Sequence, residues 1–189
     1  MRQWPLATLM SGPAGHAHIS QIPLVVNEDD GDAGLALLGH LDVNNEHAAE
    51  INRGAPISFC FRGPDAYASP DLYADPQLPG WLYVSVKGNG EIESILNDED
   101  LKDLLCESTK TFGRNEQQFS LDRTDERIDQ FIGGIRGFRI KITQISGIAK
   151  LAQDKGVAHA KRASEFLLGQ SHDSAADLTR QLLEETISR

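Results

Sequence analysis

Short apolar runs separated by turn residues fill the first two thirds of the chain, and the spacing predicts β-structure there. Pro5–Met10 is a first strand, closed by the turn cluster Ser11-Gly12-Pro13-Ala14-Gly15. Ala17–Val26 is a second, in which Ile19, Ile22, Leu24 and Val26 give partial alternation, and an acidic hairpin loop of Asn27–Asp32 follows. A third strand covers about Leu35–Leu41. Asn44–Ile51 predicts a short helix capped by asparagine with an acid in its first turn, ended by Gly54. Ile57–Phe61 reads as a buried strand, and Phe61–Tyr73 as a loop that spends a glycine, two prolines and two tyrosines.

Farther along, Trp81–Lys87 alternates cleanly and continues through Gly88 and Gly90 to Leu96. Glycines inside a long strand mark bends of the kind barrels need. Asn97–Asp100 caps a helix carrying Leu101, Leu104 and Leu105, and a second helix runs from about Thr124 to Ile132. Ile135–Ile148 alternates through Phe138, Ile140 and Ile142, with Arg139, Lys141 and Thr143 on a wet face. From about Val157 the tail is helical, with a capping box at Ser174–Asp177 and a stripe of Leu178, Leu182 and Leu183 behind it. The expectation is a mainly β protein with flanking helices: about six strands in meander-like order, with one short helix after the third, closed into a small barrel. Residues 1–155 form the barrel domain and 156–189 a C-terminal helical segment.

Composition narrows the function classes. A chain of 189 residues, 40% hydrophobic and 24% charged, can bury one substantial core. Its formal charge of −10 makes direct DNA binding unfavourable, because counterion release needs lysine and arginine against phosphates. No apolar run approaches the ~20 residues that span a bilayer, and Met1–Pro5 begins no hydrophobic signal region. Two cysteines, Cys60 and Cys106, with no metal-ligand spacing around either, fit a reducing compartment, so the cytoplasm is expected.

Candidate chemistry is sparse. The Phe61–Tyr73 segment could wall a flat ligand, since tyrosine offers an apolar face with a polar tip. Trp81 and Tyr83 share one strand face, as a core or interface pair would and as a ring-binding pair would. His16 and His18 read as edge residues without further metal ligands. Asp29, Asp30 and Asp32 read as a solvated hairpin, and Gly88-Asn89-Gly90 is followed by no helix that could make it a nucleotide fingerprint. No nucleophile-elbow pattern is present.

Several segments, taken in order, resemble the PaiB-like family of FMN-binding split-barrel proteins, named as negative transcriptional regulators. They are Pro5–Leu9, Ser20–Leu24, Gly39-His40-Leu41 with Asn44, Phe61–Tyr73, Pro79–Tyr83 and Lys150–Gln153. The resemblance implies a homodimer with FMN in a pocket near the subunit interface. It implies His40, Asn44, Tyr67, Ser69, Trp81, Tyr83, Lys150 and Gln153 as cofactor-binding candidates, and a regulatory or oxidoreductase use of the flavin. The chain departs from the family pattern at Val43, Gly80, Leu82 and Ala152, where polar or basic residues are usual, and at Asp42, where an acid appears. Those departures motivate the alternative of a split barrel that has shed its flavin and serves as an interaction module. A haem-binding split barrel, with His40 or His159 as axial ligand, is a lesser alternative.

Overall fold

A computed structural model describes residues 1–13, 16–28, 34–113 and 119–170. Six strands close into a barrel: β1 (Leu6–Ser11), β2 (His18–Glu28), β3 (Leu35–Asp42), β4 (Pro56–Ala68), β5 (Gly80–Ile95) and β6 (Ile135–Lys150). The order around the barrel is β1-β2-β3-β6-β5-β4, so the expected single meander is instead two three-strand meanders joined by a crossover from β3 to β4. Closure comes from two antiparallel seams. In one, β1 pairs with β4 from Ala7↔Phe61 to Met10↔Ser58; in the other, β3 pairs with β6 from Ala36↔Lys141 to Asp42↔Ile135. A barrel leaves no edge in the paired region, which a flat six-strand meander would expose at both ends.

The chain divides into two compact units, Met1–Phe61 with Lys87–Ile145, and Arg62–Val86 with Ser146–Arg189. In the first unit alternate residues of the strands fill the interior: Leu9, Leu24, Leu37, Phe59, Phe61, Phe138 and Ile140 are all buried. Helix α1 (Asp98–Phe112) lays Leu101 and Leu104 on Val25, with Leu38 and Leu96 beside them. Its cap is reciprocal: Asn97 accepts the Asp100 N–H through its side-chain oxygen and donates from Nδ2 to the Asp100 carboxylate. A short helix α2 (Glu126–Phe131) follows. The expected helix at 44–51 is one 3₁₀ turn, Glu46–Ala49, capped by Asn45. Residues 29–32 of the acidic hairpin lie outside the described residues.

The second unit corrects the reading of 61–73 as a loop. β4 continues through Gly63 and Pro64 to Ala68, and only Pro70–Leu72 forms a 3₁₀ turn. Proline is compatible here because β1 pairs with β4 only over Ser58–Phe61, so Pro64 owes that neighbour no N–H. Burial also changes phase: Ile57, Phe59 and Phe61 are buried, then Pro64 and Ala68. The unit's core is Ala68, Leu82, Leu151, Ala152, Ala163 and Leu167, the last two on helix α3 (Val157–Gln170). Ala152 holds a left-handed backbone at φ 59°, unusual for a residue with a Cβ. The capping box at 174–177 and its leucine stripe lie outside the described residues. Among the described residues no helix is long and apolar enough to cross a membrane.

Two glycines in the first unit leave no room for a side chain, Gly88 against a neighbouring backbone and Gly39 against core side chains. A Cβ on Gly88 would sit 2.3 Å from the Gln144 carbonyl oxygen and 2.5 Å from the Phe59 ring, and one on Gly39 would sit 2.4 Å from Leu24. The carbonyl belongs to a hydrogen-bonded strand and cannot swing aside. Gly88→Ala is expected to lower stability by about 2 kcal/mol or more in urea unfolding, against about 0.5 kcal/mol for Gly133→Ala, where nothing lies within 4 Å. Equal midpoints for the two variants would contradict this packing.

Candidate functional site

In the second unit an aromatic face is built on the paired ends of β4 and β5. Trp81 is 48% exposed and Tyr67 51% exposed, and their rings meet edge to face with centroids 6.1 Å apart. Trp81 donates its indole Nε1–H to the Asp65 carboxylate at 2.8 Å, and Arg62 donates to the same oxygen at 2.5 Å. Arg62, then Trp81, hold the Asp65 carboxyl below its ordinary range. The indole is thereby fixed in orientation while its surface stays open to solvent. A rigid aromatic surface of that kind suits a flat conjugated ligand, because little side-chain entropy remains to be lost on binding.

The other candidates in this unit divide. Lys150 is exposed, and Tyr83 is half-buried on β5. Leu82 and Leu151 are packed in one core cluster, and the residues just before them, Trp81 and Lys150, face solvent. Ser69 caps the Pro70–Leu72 turn, accepting the Asp71 N–H and donating to the Asp71 carboxylate. Gln153 is likewise engaged locally: its Oε1 accepts the Leu151 N–H at 2.7 Å, and its Nε2 donates to the Ala149 carbonyl at 2.5 Å. His159 is buried, donates from Nδ1 to the Lys155 carbonyl at 3.0 Å, and turns Nε2 to Asp75 at 3.5 Å. Tyr73 packs edge-on against the His159 ring, with the Lys155 ammonium over the Tyr73 face. Nε2 of His159 thus serves the contact between α3 and the 73–77 segment, while Nδ1 is engaged four residues back, at Lys155.

In the first unit His40 is half-buried on β3 opposite Gly137, and burial pushes its imidazole below the ordinary histidine range, so it is neutral. Asn44 is exposed and donates both its backbone N–H and its Nδ2 to the Asp42 carboxylate, at 2.7 and 2.9 Å. The N–H at the start of the following turn, from His47, goes to the Asn45 side chain. Sequence reasoning passed over His47 itself, which is 1% exposed and bonded through both ring nitrogens to Ser11 and Ser20. Nothing local signals that contact, since Ser11 lies 36 positions away. A cleft of about 800 Å³ also opens in this unit, lined by Leu38, Leu96, Leu104 and Leu121 with Arg123 and Arg139. Among the described residues no group of three or more histidine, cysteine or carboxylate side chains could hold a metal ion.

With this geometry in view, residues 1–144 match the family described as "Putative FMN-binding domain". The chain is 22% identical over 183 residues to the Bacillus subtilis (strain 168) protein "Protease synthase and sporulation protein PAI 2", covering 96% of this chain and 87% of that protein. Among solved structures, an FAD- and haem-binding protein of Mycobacterium smegmatis superposes with a TM-score of 0.56 at 18% identity, over 79% of this chain and 67% of that one. A conserved protein of Mycobacterium tuberculosis gives 0.56 at 17% identity, over 79% of each chain. These likenesses show the fold.

The neutral histidines make stability depend on pH with a definite sign. His40 and His47 both titrate below 6.5 in the fold, so the unfolded chain binds more protons just under that value. The histidine contribution is complete above about pH 6.5 and is lost as pH falls from there toward the depressed folded values. Carboxylates such as Asp125, held at about 2, act in a lower window. The urea midpoint is expected to fall between about pH 7.5 and pH 5.5, and His40→Gln to shrink that fall. A midpoint that is flat or rises on acidification would contradict the neutral assignment.

Proposed function

The chain belongs to this FMN-binding domain family, and from that premise we propose that it binds FMN as a homodimer and uses the flavin in a regulatory or oxidoreductase role. The observation that carries the reading is the Trp81 indole, fixed by Asp65 yet half exposed beside Tyr67. In this reading the isoalloxazine ring rests on the Trp81–Tyr67 face, and the exposed Lys150 ammonium supplies positive charge to the phosphate. Bound FMN would contribute one- or two-electron transfer. The protein's part is to orient the ring and exclude water from one face.

Two departures from the family pattern lose their force against the fold. Leu82 and Ala152 are buried in the second unit's core, 2% and 4% exposed, so an apolar residue at either place removes nothing from a ligand surface. Asp42, Val43 and Gly80 remain as departures at accessible positions. The dimer is supported by the last part of β6. From Thr143 to Ile148 every residue is exposed, including Ile145 and Ile148, on a strand whose pairing with β3 stops at Lys141. An uncovered strand with apolar side chains suits coverage by a second copy. A formal charge of −10 favours regulation through a metabolite or protein partner over direct DNA contact.

The cofactor-free alternative draws support from Asn44, Ser69 and Gln153, whose polar groups are engaged in local turns. Haem ligation by His159 is disfavoured by the engagement of both its ring nitrogens.

Flavin fluorescence quenching separates these readings. Saturable quenching by the wild-type protein is expected with a Kd of about 10 μM or tighter, weakened about tenfold by Trp81→Ala and less by Asp65→Asn. No quenching at about 100 μM protein would favour the cofactor-free module.

A further inference from the structure

We propose that His47, with His18 stacked on it, forms an acid-operated latch, which clamps the 3₁₀ turn Glu46–Ala49 onto β1 and β2 at neutral pH and releases it when His47 becomes protonated. The proposal stands apart from flavin binding.

His47 reaches from the turn into the barrel wall and is 1% exposed. Its Nε2 lies 2.7 Å from the Ser11 hydroxyl on β1, and its Nδ1 lies 3.0 Å from the Ser20 hydroxyl on β2. A neutral imidazole has one donor and one acceptor, and a hydroxyl can serve as either, so both bonds are complete without charge. The His18 ring stacks on it at 5.9 Å with 29° between planes, and His18 is the more exposed partner. Burial first, and His18 second, hold the His47 imidazole below the ordinary histidine range, while Glu50 opposes them.

The groups around the latch are few. β1 carries no titratable side chain. β2 contributes His18, and at its far end Glu28, which pairs with Arg2. The turn's own segment contributes Glu50, 3.9 Å from His18, and the exposed Glu46. Protonating His47 places a charge in a site with almost no water, against the stacked His18 ring, whose charge opposes it. Freeing the ring to solvent relieves that cost.

The turn is built to move as a piece. Its backbone bonds are local: Ala48 N–H to the Asn45 carbonyl, Glu50 N–H to that of His47, and Ile51 N–H to that of Ala48. Beyond it, Arg136 donates twice to the Ile51 carbonyl, which anchors the chain on the far side. Between two fixed ends the turn is held to the barrel by the His47 side chain and buried Ala48, with a longer bond from Asn45 Nδ2 to the Ser20 hydroxyl at 3.5 Å.

The test uses flavin-free protein followed by NMR, reading the His47 imidazole titration together with amide exchange corrected for intrinsic rates. Protection of Ala48 and Ile51 is expected to fall at least about tenfold between about pH 7.5 and pH 5, with strand amides such as Leu37 and Phe138 changing less than about threefold. His18→Gln removes a repelling charge and should move the midpoint to higher pH, whereas Glu50→Gln should move it lower. His47→Gln should abolish the pH-dependent loss of protection. If that variant does not fold, the two partner substitutions still decide. Unchanged protection at acid pH, or midpoints that do not move in opposite directions, would overturn the latch.

Discussion

Strands β4, β5 and β6 are 13, 16 and 16 residues long, whereas β1 and β3 have 6 and 8. Backbone N–H and C=O groups in a strand need partners, and the short strands supply them over only part of the long ones. The β1 seam stops at Phe61 of β4, and the β3 seam stops at Lys141 of β6. Beyond Phe61, β4 runs into a second compact unit with a core of its own, and β6 enters that unit after Ile145. The mismatch in length leaves the last part of β4 beyond the reach of β1, and that part carries Asp65 and Tyr67 of the aromatic face.

Charge placement follows the same division of labour. Where the protein fixes a side chain for exposure, it uses an ionised partner: Asp65 holds both Arg62 and the Trp81 indole. The buried His47 ring is instead kept neutral and satisfied by hydroxyls, those of Ser11 and Ser20. A charged hydrogen bond at a half-exposed site orients without a large desolvation cost, while a buried charge would require a counter-ion that the barrel wall does not provide.

Much of the barrel was legible in the sequence because alternation reports burial directly. Leu24, Phe138 and Ile140 mark the inward face by period alone. The Gly63-Pro64 pair misled, since proline reads as a strand breaker until the neighbouring strand is known to stop short of it. Trp81 was legible as a core, interface or ring-binding aromatic, but its fixing by Asp65 joins positions 16 apart on different strands. Asn44, Ser69 and Gln153 stood out as polar residues in a suitable order, yet each bonds to neighbours within four positions. The departures at Leu82 and Ala152 looked like lost ligand contacts only because their burial depends on tertiary packing.

Sedimentation velocity with added FMN, followed at both protein and flavin wavelengths, addresses assembly and cofactor in one run. The central claim, an exposed strand covered by a second copy and a fixed aromatic face that receives flavin, requires a single species at twice the 20.7 kDa chain mass, carrying the flavin absorbance with it. A species at 20.7 kDa with the flavin left unsedimented would contradict it.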